Sequence, residues 1–203
     1  MIPPAVSALQ NLFVASWQAQ ISFTQPIEIL KINLMKKIPI GISSCLLGEN
    51  VRFDGGHKRD SYITGTLSQY FEFHPFCPEM GIGLGTPRPT LHLEKIDNAV
   101  RCTGVKDNTV DVTECLRDYA EHQKNLHADL CGYILKKDSP SCGMEKVKIY
   151  VNDIPNRKGV GIYAEEMMRN NPLLPVEEEG RLGDAVYYGK ILFSVCMCCI
   201  AGN

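Results

Sequence analysis

Three cysteines occupy comparable places in the chain. Cys45 follows Ile38-Pro39-Ile40-Gly41-Ile42-Ser43-Ser44, Cys77 follows Phe73-His74-Pro75-Phe76, and Cys142 sits inside Ser139-Pro140-Ser141-Cys142-Gly143. Each comes after a short, mostly apolar run, and Gly48, Pro78, Gly81, Pro140 and Gly143 mark chain reversals around them. Cysteines at the ends of three strands can converge although long segments separate them. Thiolates select zinc or iron–sulfur, whereas harder ions prefer oxygen ligands. Three protein ligands leave one metal position open for substrate, the feature that separates catalytic from structural metal sites. Polar residues suited to such a site lie close in sequence. Glu79 is a candidate acid or base, and Ser139 a candidate to hold a water or a substrate oxygen. Asp54 and Arg88 are candidates to orient a polar ligand, and Ser141 is a further candidate substrate contact.

Two other readings of the same residues stay open at this level. In one, Cys45, Cys77 and Cys142 close a structural zinc tetrahedron with His74, Cys102 or a cysteine of the tail (Cys196, Cys198, Cys199). In the other, Cys142 is a nucleophile activated by a helix N-terminus. His122 and His127 fall on an expected helix and read as solvated, which argues against a Cys–His pair.

The elements that must position these residues read as α/β. Ile38–Ile42 is a strand, a helix over 61–72 capped by Asp60 or Ser61 follows, and the run into Cys77 is a second strand. That is the βαβ pattern of a parallel sheet. Pro78 to Arg88 is a long, shaped loop, and Asp54-Gly55-Gly56 marks another. Leu91–Val100 and Arg101–Val112 read as strands around a turn at Lys106-Asp107-Asn108. A helix over 113–130 places Leu116, Tyr119, Ala120, Leu126 and Leu130 on its buried stripe, with Cys115 and Cys131 as packing residues at its ends. Gly132–Lys136 is the third strand, Lys146–Val151 another, and 162–170 a helix. The expected architecture is therefore a Rossmann-like parallel or mixed sheet flanked by helices, with its site at the C-terminal ends of the strands.

Composition bounds the rest. With 203 residues the chain suits one domain, and a net charge of −2 gives no reason to expect nucleic acid or an anionic membrane as partner. No apolar run reaches the roughly 18–20 residues of a spanning helix. Nine cysteines without an export signal point to a reducing cytoplasm, and an odd number precludes complete internal pairing. Residues 1–34 read as a weakly ordered extension before Met35, residues 35–182 as the domain, and 183–203 as an aberrant or truncated tail.

The pieces Ile42–Gly48, Val51–Gly55, Cys77-Pro78-Glu79, Thr86-Pro87-Arg88 and Lys137–Gly143, in this order, resemble the thiouracil desulfurases (domain of unknown function 523). The resemblance covers about 35–180. It implies a four-iron–four-sulfur cluster held by Cys45, Cys77 and Cys142, whose fourth iron takes sulfur from a thiolated base such as 2-thiouracil in a non-redox desulfuration. It implies that Ser139 and Glu79 activate the water that replaces sulfur, with a small-molecule substrate as partner. Leu174 to Leu182 resembles the junction that leads, in longer relatives, into a second helical domain.

Overall fold

The computed structural model describes residues 37–183. The expected extension over 1–34, and the tail after Gly183 with its three cysteines, lie outside the described residues. Strand β1 (Ile38–Ser43) is the centre of a parallel sheet. It pairs with β2 (Phe71–Phe76) on one side and β5 (Gly132–Leu135) on the other, and β5 pairs with β8 (Val176–Glu178). Strand alternation explains the pairing. Ile40 and Ile42 are buried against Leu46, Ile63, Leu67 and Ile134 on one face. Gly41 lies opposite Tyr133 in the register, and a Cβ at Gly41 would stand 2.4 Å from the Tyr133 ring. The glycine is what lets that ring lie across β1.

The α/β architecture expected from the sequence is present, but it is built on two sheets rather than one. The second has the order β4 (Ala99–Gly104), β3 (Leu91–Ile96), β6 (Val147–Val151), β7 (Ile154–Gly159), with β3 and β6 parallel and each in an antiparallel hairpin. The hairpins turn at Asp97-Asn98 and Asn152-Asp153, whose φ angles are 47°, 66°, 48° and 64°. Asn and Asp tolerate this left-handed region, and two such residues in succession match the twist of the strands they join. The first turn is thus at Asp97-Asn98, not at Lys106–Asn108.

Two helices also differ from expectation. The segment expected as a helix over 61–72 is a wide turn at Tyr62–Thr66 and a tight one at Leu67–Gln69, and Phe71 already belongs to β2. Thr64-Gly65-Thr66 is a run of poor helix formers. The Asp60 carboxylate does accept from the Ile63 amide at 3.0 Å, as a cap would. Helix 113–130 is two pieces, α2 (Thr113–His122) and α3 (Lys124–Ala128), broken at Gln123. The break turns Leu126 out to solvent and His127 in. Cys115 is exposed rather than packed, and Cys131 is half-buried. Short α1 (Pro78–Gly81) and α4 (Ile162–Asn170) complete the helices among the described residues.

His127 therefore corrects the reading of a solvated histidine. It is fully buried, with Nε2 2.8 Å from the Tyr163 hydroxyl, which lies 3.1 Å from that of Tyr133. Burial lowers its pKa from 6.5 to about 4, so it is neutral in the folded protein at pH 7. The unfolded chain takes up a proton near pH 6.5 that the folded chain refuses, so stability falls as pH drops from about 6.5 towards 4. The full loss is on the order of 3 kcal/mol. Urea unfolding at pH 7 and pH 4.5 should show this loss in the parent and a smaller one in His127→Gln. Equal losses would assign the acid sensitivity to other groups.

Candidate active site

Three of the sheet's parallel strands end in a cysteine or lead to one. Cys45 lies in the turn Ser44–Leu47 directly after β1, and Cys77 follows β2 and precedes α1. Cys142 lies in the loop after β5, and all three line one cavity of about 390 Å³. All are free thiols; Cys45 and Cys142 are buried and Cys77 half-buried. Burial pushes the Cys45 thiol up to about 11 and raises those of Cys77 and Cys142. Cys77 adds to the rise at Cys45, and both Cys77 and Cys45 to that at Cys142, because thiolates crowded in one pocket repel.

Such a donor set needs a cation to hold it as thiolates, and its softness fits iron–sulfur or zinc. Among the described residues, no three or more His, Cys, Asp or Glu are grouped to grip a single metal ion. A mononuclear zinc brings every sulfur to ~2.3 Å of one centre, whereas a cluster takes each thiolate on a different iron. His74 is exposed on β2 and Cys102 is buried in the core around β3, and neither lines the cavity. The nucleophile reading fares no better. A raised thiol is the reverse of activation, and the nearby buried His127 is bonded to Tyr163.

The Cys142 loop is fixed from two directions. From below, the amides of Gly161, Ile162 and Ala164 at the start of α4 donate to the carbonyls of Gly143, Pro140 and Ser141, at 2.8, 3.0 and 3.1 Å. From within, the Ser139 hydroxyl accepts from the amides of Cys142 (3.0 Å) and Ser141 (3.3 Å). The helix N-terminal donors that a nucleophile would need are thus spent on loop carbonyls.

Glu79 and the serines form one connected set. Glu79 Oε1 accepts from the Ser141 hydroxyl at 2.5 Å, and Ser141 Oγ lies 3.0 Å from Ser139 Oγ. Glu79 Oε2 accepts from Arg88 through Nε at 2.8 Å and through Nη2. Arg88 also donates to the carbonyls of Gly85 (2.8 Å) and Val51 (2.9 Å), and its side chain is only 3% exposed. It fastens the Val51 segment and the loop after α1 to Glu79. The sequence thus placed Glu79, Arg88, Ser139 and Ser141 around one cavity with the cysteines. Asp54 lies apart. Its exposed carboxylate accepts from the Gly56 amide at 3.0 Å and faces Arg52 at 3.5 Å, and it does not line the cavity.

Sequence reasoning missed the basic wall. Arg52, Lys58, Lys136 and Lys137 line the cavity in a chain of net charge −2. Lys136 leads, after burial, the influences on Cys45, and lowers its pKa. Its Nζ pairs with Glu179, whose other oxygen accepts from the Lys137 amide at 2.7 Å. The segment read as an interdomain junction therefore contributes β8 and a bolt for the site loop. The available signal was Lys136-Lys137 at the end of the third strand.

Comparison with known proteins follows the same lines. A family model described as 2-thiouracil desulfurase matches residues 40–179. The chain belongs to the 2-thiouracil desulfurase family. Among solved structures it is similar to a [4Fe-4S]-dependent thiouracil desulfidase, TudS, at 27% identity and a TM-score of 0.57, over 77% of this chain and 99% of that one. No curated protein matches the chain. Family members are desulfurases, and the two-sheet α/β fold is shared with that structure.

Proposed function

We propose that this protein removes sulfur from a thiolated nucleobase of the 2-thiouracil type, using a four-iron–four-sulfur cluster held by Cys45, Cys77 and Cys142. The observation that carries the reading is the convergence of three thiols from the ends of parallel strands on one cavity that also holds Glu79. The family and the [4Fe-4S]-dependence of the similar structure support it. When bound, the cluster would supply an open iron that takes the substrate's sulfur and polarises the carbon–sulfur bond as a Lewis acid. The chain's own groups would do the rest. Lys136 and Arg52 of the basic wall would favour the Cys45 thiolate against the burial that raises its pKa, and the wall would suit a polar, flat substrate. Glu79, with the serine hydroxyls beside it, would position and deprotonate the attacking water.

The test is anaerobic purification with iron and sulfide assays, followed by incubation with 2-thiouracil. Brown, iron-replete protein should release sulfide and form uracil in equal amounts. Colourless, zinc-loaded protein would favour the structural module, and iron-replete protein that releases no sulfide would exclude thiouracil as substrate.

A further inference from the structure

Resting on that desulfuration reading, we propose that the Phe53 ring is the platform on which the base stacks, so that the site selects planar, unsaturated thiocarbonyl rings over saturated ones. Two aromatic rings among the described residues line the cavity, Phe53 and Phe76. Phe76 is 8% exposed, and its ring packs against His127 at 5.0 Å and Tyr133 at 5.7 Å between centroids. Its faces are taken. Phe53 is 36% exposed and takes no part in the buried core. The group that sits over its ring is the Arg52 guanidinium, 5.3 Å from the centroid. One exposed phenyl ring on an outer surface needs no explanation. This one lines the cavity that holds the three thiols and Glu79.

The residue that holds Glu79 also holds this segment. The Arg88 amide donates to the Phe53 carbonyl at 2.9 Å, and the Arg88 guanidinium donates to the Val51 carbonyl at 2.9 Å and to Glu79 Oε2 at 2.8 Å. The Arg52 amide donates to the Gly56 carbonyl at 3.2 Å, and the Arg52 carbonyl accepts from the Gly55 amide at 2.9 Å. The backbone on both sides of Phe53 is therefore tied, and the ring keeps its place relative to the carboxylate. Arg52 attracts the ring as a cation over its π face, and Asp54 faces Arg52 at 3.5 Å. The polar groups of the cavity can read the edge of a base, its amide and thiocarbonyl. A saturated ring offers nearly the same edge, but it puckers and loses π density. Only a contact with the face separates the two, and an aromatic ring supplies it by offset stacking. Base–aromatic stacking is worth on the order of 5–150-fold in binding for each base.

The experiment supplies anaerobic, iron-loaded protein with 2-thiouracil or dihydro-2-thiouracil, which share the thiocarbonyl edge and differ in the ring's double bond. It compares the parent with Phe53→Leu and Phe53→Trp, with sulfide release read per bound cluster. In Phe53→Leu the KM for 2-thiouracil should rise about 5–150-fold with kcat little changed, the pattern of lost uniform binding. The preference for 2-thiouracil over the dihydro compound, in kcat/KM, should fall about fivefold or more in Phe53→Leu and persist in Phe53→Trp. Comparing preferences across variants cancels the intrinsic reactivities of the two compounds. A merely structural role would slow both compounds alike. That result, or an unchanged preference in Phe53→Leu, would overturn the proposal. Equilibrium dialysis of uracil and dihydrouracil, which have no sulfur to release, reads the same contact without the chemistry. Parent protein that releases no sulfide, yet binds uracil more tightly than dihydrouracil only while Phe53 or Trp is present, would sink the desulfuration reading and leave the stacking platform standing.

Discussion

Serine in place of Cys45, Cys77 or Cys142 is expected to strip most of the iron from anaerobically prepared protein. A serine oxygen is a hard, weakly acidic ligand where a soft thiolate is needed. Each cysteine enters the cavity from a different strand end, so none has a neighbour that can substitute for it. The change should cost little in fold stability at half-buried Cys77 and more at Cys142, which lies within the core of Phe76, Tyr133 and Tyr163. Iron content separates ligand loss from unfolding when it is read beside a melting curve. The controls are Cys115→Ser, at an exposed position on α2, and Cys131→Ser, at a half-buried one before β5. Both should keep parent levels of iron. Full iron in any of the first three variants would remove that cysteine from the site. Loss in Cys115→Ser would show that iron content reports general damage.

What the sequence made legible follows from the range of the interactions involved. Apolar runs ending in Cys45 and Cys77, with alternation through Ile40-Gly41-Ile42, are local signals, and they located β1 and β2. The second sheet was not legible, because the pairing of β3 with β6 joins segments more than fifty residues apart. Its hairpin turn at Asp97-Asn98 was outcompeted by the more polar Lys106-Asp107-Asn108. His127 was misread because helical periodicity was extended through Gln123, where the chain breaks and exchanges the faces of Leu126 and His127. Among the candidate site residues, those beside the cysteines in sequence reached the cavity. Asp54, chosen for its glycine-rich loop, bonds within that loop instead. Lys136 is held at the cavity by Glu179, forty-three positions away.

Alanine at Gly161 is expected to cost the protein most of its bound iron although Gly161 touches no ligand thiol. The backbone there has φ −63° and ψ 139°, angles that any residue adopts, so conformation is no obstacle. Space is. A Cβ at Gly161 would lie 2.5 Å from the carbonyl carbon and oxygen of Ser141 and 2.8 Å from the Cys142 amide nitrogen. These are backbone atoms, and they cannot swing aside as a side-chain tip can. Relief must come from separating α4 from the Cys142 loop, which breaks the bonds from Gly161, Ile162 and Ala164 to the loop carbonyls. Overpacking of this kind costs about 1–3 kcal/mol, which lowers the melting temperature of a domain this size by roughly 2–12 °C. The loop would carry Cys142 away from Cys45 and Cys77, so iron should fall several-fold even in protein that stays folded. Gly65→Ala is the matched control, since a Cβ there meets nothing within 4 Å. A compatible glycine-to-alanine change of that kind leaves stability the same or raises it by about 0.4–1 kcal/mol. Iron and melting temperature in Gly161→Ala equal to those of Gly65→Ala would mean that the loop slides past α4 freely. The helix would then have no part in holding Cys142.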